Sequence, residues 1–318
     1  MRGPGQPRPR NYITSGWRRH EIRRGPGVAR AFRPPILADG LCGRGRGDDY
    51  PESVTATPDA ADLRADLQLA LRLADAADAQ SLPRFDAADL EISTKADRSH
   101  VTDADLATER AIRRILEEER PDDGIFGEEF GAQGSTARQW IIDPIDGTAN
   151  FLRGVPLWGT MIALAIDGAP RVGVVSMPAL GRRWWAAAGH GAWTVSDRTE
   201  RRLTTSTVSS LDDASVSFQS ITQWRDAGQL DALLRLSERV WRDRAYGDVY
   251  AYMLLAEGRL EAVAEFDVKE YDIAAAVAIV REAGGRMTAF DGSETISARS
   301  TLATNGTLHD DFLRLLHD

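Results

Sequence analysis

The stretch Gln-Trp-Ile-Ile-Asp-Pro-Ile-Asp-Gly-Thr-Ala-Asn-Phe, at residues 139–151, places two carboxylates directly behind an apolar run. The run at residues 139–142 predicts a buried strand that ends at Asp143. Pro144 cannot donate a hydrogen bond to a strand ladder, and it stiffens the turn that follows. Asp146 presents a second carboxylate three residues after the first. We therefore expect both carboxylates to lie at one end of a strand.

The residues after Asp146 favour an anion. Gly147 allows close approach of the backbone, and Thr148 stands where a helix can begin, so free amides there would favour a phosphate. Two carboxylates beside such a helix start suit Mg²⁺, which combines a few carboxylates with waters and substrate oxygens. The pattern predicts a hard-cation site for a phosphate ester. Taken as isolated acids, the same residues more often form an ordinary Asp-Pro turn.

Three further acids are candidates for the same site, and each has a simpler structural explanation. Glu128, in Gly-Glu-Glu at residues 127–129, is also typical of a solvated turn. Asp272 directly precedes an apolar helical pattern and is a natural N-cap. Asp105 lies three residues after Thr102, in a spacing close to a capping box. None of the three indicates catalysis by itself.

Four segments taken together resemble the inositol-monophosphatase superfamily. They are Gly-Glu-Glu at 127–129, Asp-Pro-Ile-Asp-Gly-Thr at 143–148, Tyr-Asp-Ile-Ala-Ala at 271–275 and Glu-Ala-Gly-Gly at 282–285. The hexapeptide is specific, since its chance occurrence in a chain of this length is on the order of 10⁻⁵. One departure is Tyr271, where the family usually has Trp. The resemblance covers about residues 60–318 and implies a layered α+β or α/β sandwich (αβαβα, the sugar-phosphatase fold).

The resemblance also implies an activity and a cofactor. The family consists of Mg²⁺-dependent, lithium-sensitive phosphatases, and two or three Mg²⁺ ions are expected here, with Mn²⁺ as an alternative that also accepts carboxylates. The implied metal ligands are the carboxylates of Glu128, Asp143, Asp146 and Asp272 and the backbone carbonyl of Ile145.

Catalytic roles follow from the same resemblance. Gly147 and Thr148 would donate amides to the phosphate. The Thr148 hydroxyl would orient the attacking water, with Asp105 as its partner, and Glu128 would serve both the metal and the reaction. Lys95 lies in a segment that resembles the mobile loop of the family. We expect metal-activated water to attack the phosphate, since this chemistry needs no covalent intermediate.

Three runs of sequence resemble the histidinol-phosphatase branch of the superfamily, of the type found in GC-rich bacteria: residues 152–158, 182–185 and 244–248. Histidinol phosphate carries an ammonium group and an imidazole, so its pocket should supply carboxylates or an aromatic face. Asp248 and Glu265 are the candidates, and Glu265 stands seven residues before Asp272, where the family has a substrate-contacting acid. The alternatives are inositol 1-phosphate, fructose 1,6-bisphosphate and, more remotely, a regulatory binding protein on the same fold.

Composition narrows the class of protein. The chain has 318 residues, a net charge of −9 and a single cysteine, Cys42, which excludes an intramolecular disulfide and cysteine-rich zinc sites. No apolar run approaches the roughly 20 residues of a membrane helix. The acidic charge disfavours nucleic acid as a partner. We expect a cytoplasmic enzyme that forms a homodimer, as relatives commonly do, and that acts on a small phosphate ester away from membranes.

Residues 1–56 differ in composition from the rest of the chain. Residues 1–46 hold 11 Arg and two acids, with many Gly and Pro and no sustained hydrophobic period, so we expect a disordered basic tail. A transit peptide and translation from a misplaced upstream start codon are the other interpretations, and we favour the last. We expect residues 57–200 to form an α+β half with the metal site and residues 201–318 an α/β half that completes it.

Hydrophobic periodicity predicts the main elements. A helix should begin near Pro58, a second helix should begin at Thr102, and one continuous helix should cover residues 226–239. Residues 161–166 and 171–176 predict a hairpin through an Asp-Gly turn. Further helices are predicted over residues 249–257, 272–283 and 308–316, with strands over residues 184–188 and 262–265.

Overall fold

A computed structural model describes residues 60–95, 99–196 and 199–317 of this chain, without the side chains of residues 60–62 and 196. The predicted tail at residues 1–56 and the predicted helix start at Pro58 lie outside the described residues. So do residues 96–98, which follow Lys95 in the segment that resembles the mobile loop of the family.

The larger sheet has eight strands and comes from the first half of the chain. Its strands are β3 (Gly124–Gly127), β4 (Gly131–Gln133), β5 (Arg138–Asp146), β6 (Gly159–Ile166), β7 (Ala169–Met177), β8 (Arg182–Ala187), β9 (Ala192–Ser196) and β10 (Thr199–Arg202). Their spatial order is β10-β9-β8-β7-β6-β5-β3-β4. All neighbouring pairs are antiparallel except β3 and β5. A short separate hairpin pairs β1 (Ile92–Thr94) with β2 (His100–Thr102).

The smaller sheet has five strands and comes from the second half. Its strands are β11 (Ser215–Phe218), β12 (Arg242–Arg244), β13 (Ala262–Phe266), β14 (Arg286–Thr288) and β15 (Ser300–Thr304). Their order is β12-β11-β13-β15-β14. β11 pairs in parallel with both of its neighbours, whereas β15 runs antiparallel to β13 and β14. The carboxyl ends of β11 and β13 therefore lie at the same edge.

Eight α-helices accompany the sheets in the described part of the chain. They are α1 (Ala60–Ser81), α2 (Asp103–Glu119), α3 (Thr148–Leu152), α4 (Ile221–Asp226), α5 (Leu230–Arg239), α6 (Asp248–Ala256), α7 (Glu270–Glu282) and α8 (His309–His317). Short 3₁₀ turns lie at Leu82–Arg84, Pro178–Leu180 and Leu211–Asp213. None of the described helices is both long and apolar enough to cross a membrane.

Alternation of side chains along the strands builds the layers. On β5, Ile142 packs with α1 and α2, whereas its neighbour Ile141 packs with α6 and α7 on the opposite face. Helices α6 and α7 also contact the inner face of the smaller sheet, through residues such as Val263. The outer face of that sheet packs against α5 and α8. The order helix, sheet, helix, sheet, helix is the αβαβα sandwich that the sequence predicts.

Several element predictions need correction. The helix predicted over residues 226–239 begins only at Leu230, as α5, and Asp226 is the last residue of a separate helix, α4; Gly228 adopts a left-handed backbone (φ 72°) between them. The strand at residues 139–142 continues to Asp146, with a shift of register after Asp143 instead of an end. Asp272 is the third residue of α7 and not its N-cap, which is Lys269. The capping box at Thr102 and Asp105 is present as predicted.

Candidate active site

The end of β5 places two of the predicted ligands. β5 pairs with β6 up to Asp143, and pairing resumes at Asp146 after a shift of register. Pro144 lies inside this irregularity, and its carbonyl accepts a hydrogen bond from the Thr160 hydroxyl at 2.9 Å. A proline at this position removes one donor of the ladder. The resulting bulge turns both carboxylates toward the same cavity.

Three carboxylates meet at this end of the sheet. One oxygen from each of Asp143, Asp146 and Asp272 lies within 4.8 Å of the others. Asp272 reaches them from the first turn of α7, although it is remote in sequence. The structure thus brings together three of the four predicted carboxylate ligands. The predicted carbonyl ligand, Ile145, lies in the same bulge, and the cavity is lined by this residue as well.

Each carboxylate of this cluster is held by a backbone amide. Asp143 Oδ1 accepts from the Ile145 amide at 3.0 Å, and Asp146 Oδ2 accepts from the Val249 amide at 2.7 Å. Asp272 Oδ2 accepts from the amide of Lys269, also at 2.7 Å. These bonds fix the orientation of the three side chains before anything binds.

Burial dominates the electrostatics of the cluster. It raises the pKa of Asp143 and Asp146 well above the usual carboxyl range, and repulsion from neighbouring acids adds to the effect. Burial likewise raises the pKa of Asp272 to about 7. Ionised together, these groups need a cation. The donors are all oxygen and nearly all carboxylate, which fits Mg²⁺.

Glu128 has a different partner. Lys95 Nζ lies 2.8 Å from Glu128 Oε1 and 2.8 Å from Glu129 Oε1, so one ammonium joins both acids. Burial raises the pKa of the Glu129 carboxyl to about 7. Glu128 lines the cavity with the other three acids but is not one of the three whose oxygens meet.

Thr148 and Asp105 lie side by side, as the resemblance implies. The Thr148 hydroxyl donates to the Ile145 carbonyl at 3.0 Å and lies 3.4 Å from Asp105 Oδ1. The other carboxylate oxygen, Asp105 Oδ2, accepts from the amide and hydroxyl of Thr102 at 2.8 and 2.6 Å. The same residue therefore caps a helix and faces the site. Burial raises its pKa to about 6.

Only glycine fits between the metal cluster and the rest of the cavity at position 147. Gly147 has φ 79°, and a Cβ atom there would lie 2.9 Å from the Leu157 carbonyl oxygen and 3.2 Å from Asp248 Oδ2. An L side chain would meet both backbone strain and this close contact. The position requires glycine because the chain turns from β5 into α3 there.

The predicted substrate acids, Asp248 and Glu265, line the same cavity, which has a volume of about 340 Å³. Asp248 begins α6 with a positive φ of 48°, and its Oδ2 accepts from Asn150 Nδ2 at 2.6 Å. Glu265, on β13, is 2% exposed, and its Oε2 accepts from the Tyr252 hydroxyl at 2.7 Å. Burial raises the pKa of Asp248 and raises that of Glu265 to about 8.

Several cavity residues are absent from the sequence-based set. Gln219, Gln223, Tyr252 and Lys269 also line the cavity. The glutamines follow β11 and carry no motif that would mark them. Lys269 could have been noticed, because the chain has only two lysines, Lys95 and Lys269.

The comparison with protein families matches residues 62–318 to a family described as the inositol monophosphatase family. The chain belongs to that family. Members are phosphatases, and this protein is accordingly a phosphoric monoester hydrolase.

Curated relatives within the inositol monophosphatase family include two histidinol-phosphatases. That of Mycobacterium tuberculosis is 52% identical over 254 residues, which cover 79% of this chain and 98% of the relative. That of Streptomyces coelicolor is 49% identical over 257 residues, which cover 79% of this chain and 97% of the relative.

Solved structures of the family share the fold. An inositol monophosphatase from Zymomonas mobilis has a TM-score of 0.71 at 34% identity, covering 80% of this chain and 98% of that one. One from Thermotoga maritima has a TM-score of 0.70 at 28% identity, covering 80% and 96%. The predicted family and fold are therefore confirmed.

Proposed function

We propose that this phosphatase hydrolyses histidinol phosphate with the help of Mg²⁺. The observation that carries the proposal is that two further carboxylates, the half-buried Asp248 and the buried Glu265, line the cavity together with the metal cluster. A leaving group with an ammonium and an imidazole would offset their charge, whereas a neutral polyol would not. The identity of about half over most of the chain to histidinol-phosphatases supports the same substrate.

The metal site is proposed as predicted. Asp143, Asp146 and Asp272, with Glu128 and the Ile145 carbonyl, would hold the ions. The chemistry that Mg²⁺ supplies when bound is positive charge, which polarises the phosphoryl group and acidifies water. Two or three ions, and replacement by Mn²⁺, remain predictions.

The protein's own groups position the phosphate and the water. We propose that the Gly147 and Thr148 amides donate to the phosphoryl oxygens, where negative charge grows in the transition state. Thr148 Oγ1 would accept a hydrogen bond from the attacking water and pass its own proton toward Asp105 Oδ1, which lies 3.4 Å away. With its pKa raised to about 6, Asp105 is a base at neutral pH and still close enough in pKa to take a proton.

The proposal also covers the organisation of the chain beyond the site. The halves 57–200 and 201–318 would share the reaction, the first holding the phosphate and the second completing the metal site and receiving the leaving group. A homodimer and a cytoplasmic location remain predictions.

The test is phosphate release by the purified protein with Mg²⁺, comparing histidinol phosphate, inositol 1-phosphate and fructose 1,6-bisphosphate. We expect kcat/KM for histidinol phosphate to exceed the others at least about 100-fold, roughly 2.7 kcal/mol of transition-state discrimination. A flat profile, or a preference for inositol 1-phosphate, would keep the phosphatase and reject the substrate. Absence of hydrolysis with all three would favour the regulatory alternative.

A further inference from the structure

Two buried oxygens in the cavity have no hydrogen-bond partner, and one belongs to Glu265, which together with Asp248 forms the proposed leaving-group side. They are Gln219 Oε1 and Glu265 Oε1, and the absence holds among the residues that the structure describes. Both residues line the cavity. A buried acceptor without a donor is unfavourable, so such groups in a native protein call for an explanation. One explanation is that a bound ligand supplies the missing hydrogen-bond donor.

Strand pairing puts these two side chains next to each other. β11 and β13 are parallel neighbours, and Phe218 pairs with Ala264. Gln219 and Glu265 are the next residues on each chain. Residues paired across neighbouring strands project from the same face of a sheet. Gln219 directly follows the last paired residue of β11, so continuation of the same register places it beside Glu265 at the carboxyl end of the two strands.

The second oxygen of Glu265 is already committed. Its Oε2 accepts from the Tyr252 hydroxyl at 2.7 Å, which fixes the direction of the carboxylate. Gln223 offers a useful contrast in the same cavity, because its Oε1 already accepts from the Ser220 hydroxyl at 2.9 Å. The unsatisfied acceptors are thus specific to Gln219 and Glu265.

We infer that Gln219 Oε1 and Glu265 Oε1 together accept hydrogen bonds from a cationic amine on the leaving group, so that Gln219 is a specificity-determining residue. An ammonium has three donors and no acceptor, so one group satisfies both oxygens and offsets the charge of Glu265. A hydroxyl has a single proton and leaves that charge uncompensated. The inference rests on the proposed function, and it adds Gln219 to the residues that select the substrate.

The test compares histidinol phosphate with its des-amino analogue, 3-(imidazol-4-yl)propyl phosphate, in the Mg²⁺-loaded protein. Gln219→Leu should lower kcat/KM for histidinol phosphate by about 10- to 100-fold, mainly through a higher KM. The same substitution should change kcat/KM for the des-amino compound by less than about threefold. Gln223→Leu is the matched control, with equal and small effects on both compounds. If the leucine variant does not fold, Gln219→Ala takes its place in the same kinetic comparison. Calorimetry of L-histidinol binding to wild type and variant then measures the contribution of Gln219 without turnover.

The outcomes separate the inference from the proposed function. The wild-type protein could prefer histidinol phosphate while Gln219→Leu lowers kcat/KM equally for both compounds. That result would reject the role inferred for Gln219 and leave the proposed function standing. If the wild-type protein does not discriminate the amine at all, the acceptor pair is rejected. If it does not hydrolyse histidinol phosphate, the proposed function fails and the inference with it.

Discussion

The two sides of the cavity are held in different ways. On the metal side, Asp143, Asp146 and Asp272 each accept a hydrogen bond from a backbone amide. On the leaving-group side, the acids are held by other side chains: Asp248 by the amide of Asn150, and Glu265 by the hydroxyl of Tyr252. Backbone amides are present whatever residues surround them, whereas a side-chain partner changes with one substitution.

This difference indicates how one fold serves several substrates. The metal side depends on a bulge and a helix start, which the backbone provides. The leaving-group side depends on the choice of a few side chains, which substitution can alter without disturbing the metal cluster. Substitutions on the metal side should therefore affect all phosphate esters equally, and those on the other side should affect them selectively.

The largest effect is expected from Asp143→Asn. This substitution removes a charged ligand, and we expect kcat to fall at least about 10³-fold for every phosphate ester. Without metal, the variant should unfold at an equal or higher temperature than the wild type, because repulsion among the buried acids is reduced. Phosphate release measures the expected loss of activity, and calorimetry in EDTA measures the expected unfolding temperature. Activity close to that of the wild type would reject the metal assignment.

Glu265→Gln should show the selectivity of the other side. We expect kcat/KM for histidinol phosphate to fall by about 30- to 100-fold, since the charge that faces the amine is lost. The loss for inositol 1-phosphate should be several-fold smaller. Equal losses with both substrates, measured under the same Mg²⁺ concentration, would remove Glu265 from substrate selection.

Buried acids on both sides of the comparison, Asp272 and Glu265, should determine how the stability of the metal-free protein depends on pH. The folded-state pKa values of Asp272 (about 7) and Glu265 (about 8) are raised above the usual carboxyl range. Stability from these groups is therefore complete at low pH and is lost as pH rises through 7 to 8 in the metal-free protein. Mg²⁺ should bind about tenfold more tightly per pH unit for each proton that it displaces.

Melting temperatures with EDTA and with Mg²⁺ at pH 5.5 and 8.5 test this linkage. The increase caused by Mg²⁺ should be larger at pH 8.5. An equal increase at both values would mean that binding displaces no protons from the acidic cluster.

Tyr252→Phe should give a smaller, selective effect. It removes the hydroxyl that orients Glu265, so KM for histidinol phosphate should rise about three- to tenfold while kcat changes little. Tyr250→Phe, two residues earlier on α6, is the control and should leave both constants unchanged. A drop in kcat for all substrates would indicate a disturbed metal side instead.

The smallest effect should come from a residue far from this comparison. His309 is fully buried, with its two ring nitrogens 3.0 Å from the hydroxyls of Thr288 and Thr304, and burial lowers its pKa to about 4. The unfolded chain takes up this proton near pH 6.5, so stability is lost as pH falls from about 6.5 to about 4. In His309→Gln, the melting temperature should therefore fall by a few degrees less than in the wild type as the pH is lowered over this range. The exposed His100→Gln is the control, and identical acid profiles for all three proteins would contradict the assignment.

The metal side was predictable from sequence because its chemistry lies in a short contiguous segment. Asp143 and Asp146 lie in the last residues of β5 and Thr148 comes directly after them, and local rules on proline, glycine and capping describe this segment. The position of Asp272 within its helix was predicted wrongly, because Lys269 at the N-cap carries no side-chain signal for that role.

The leaving-group side was predictable only in part. Gln219 follows β11 at the position next to Glu265 because β13 pairs with β11 and not with β12, the strand that precedes β13 along the chain and lies on the far side of β11. Pairing of distant strands depends on the packing of the whole sheet, and local pattern does not determine it. The break between α4 and α5 at the start of the helix predicted over residues 226–239 was also missed, since Gly228 interrupts the helical pattern there.

The contact of Lys95 with Glu128 and Glu129 has a practical consequence for anyone who handles this protein. The chain uses arginine at all cationic positions except Lys95 and Lys269, so its only side-chain amines belong to the site region. An acylating reagent followed by mass spectrometry would therefore footprint the site alone among side chains. A protease that cleaves after lysine would divide the chain at two bonds only, after Lys95 and after Lys269. The rate of cleavage after Lys95 would report on how firmly the contact with Glu128 and Glu129 holds that lysine.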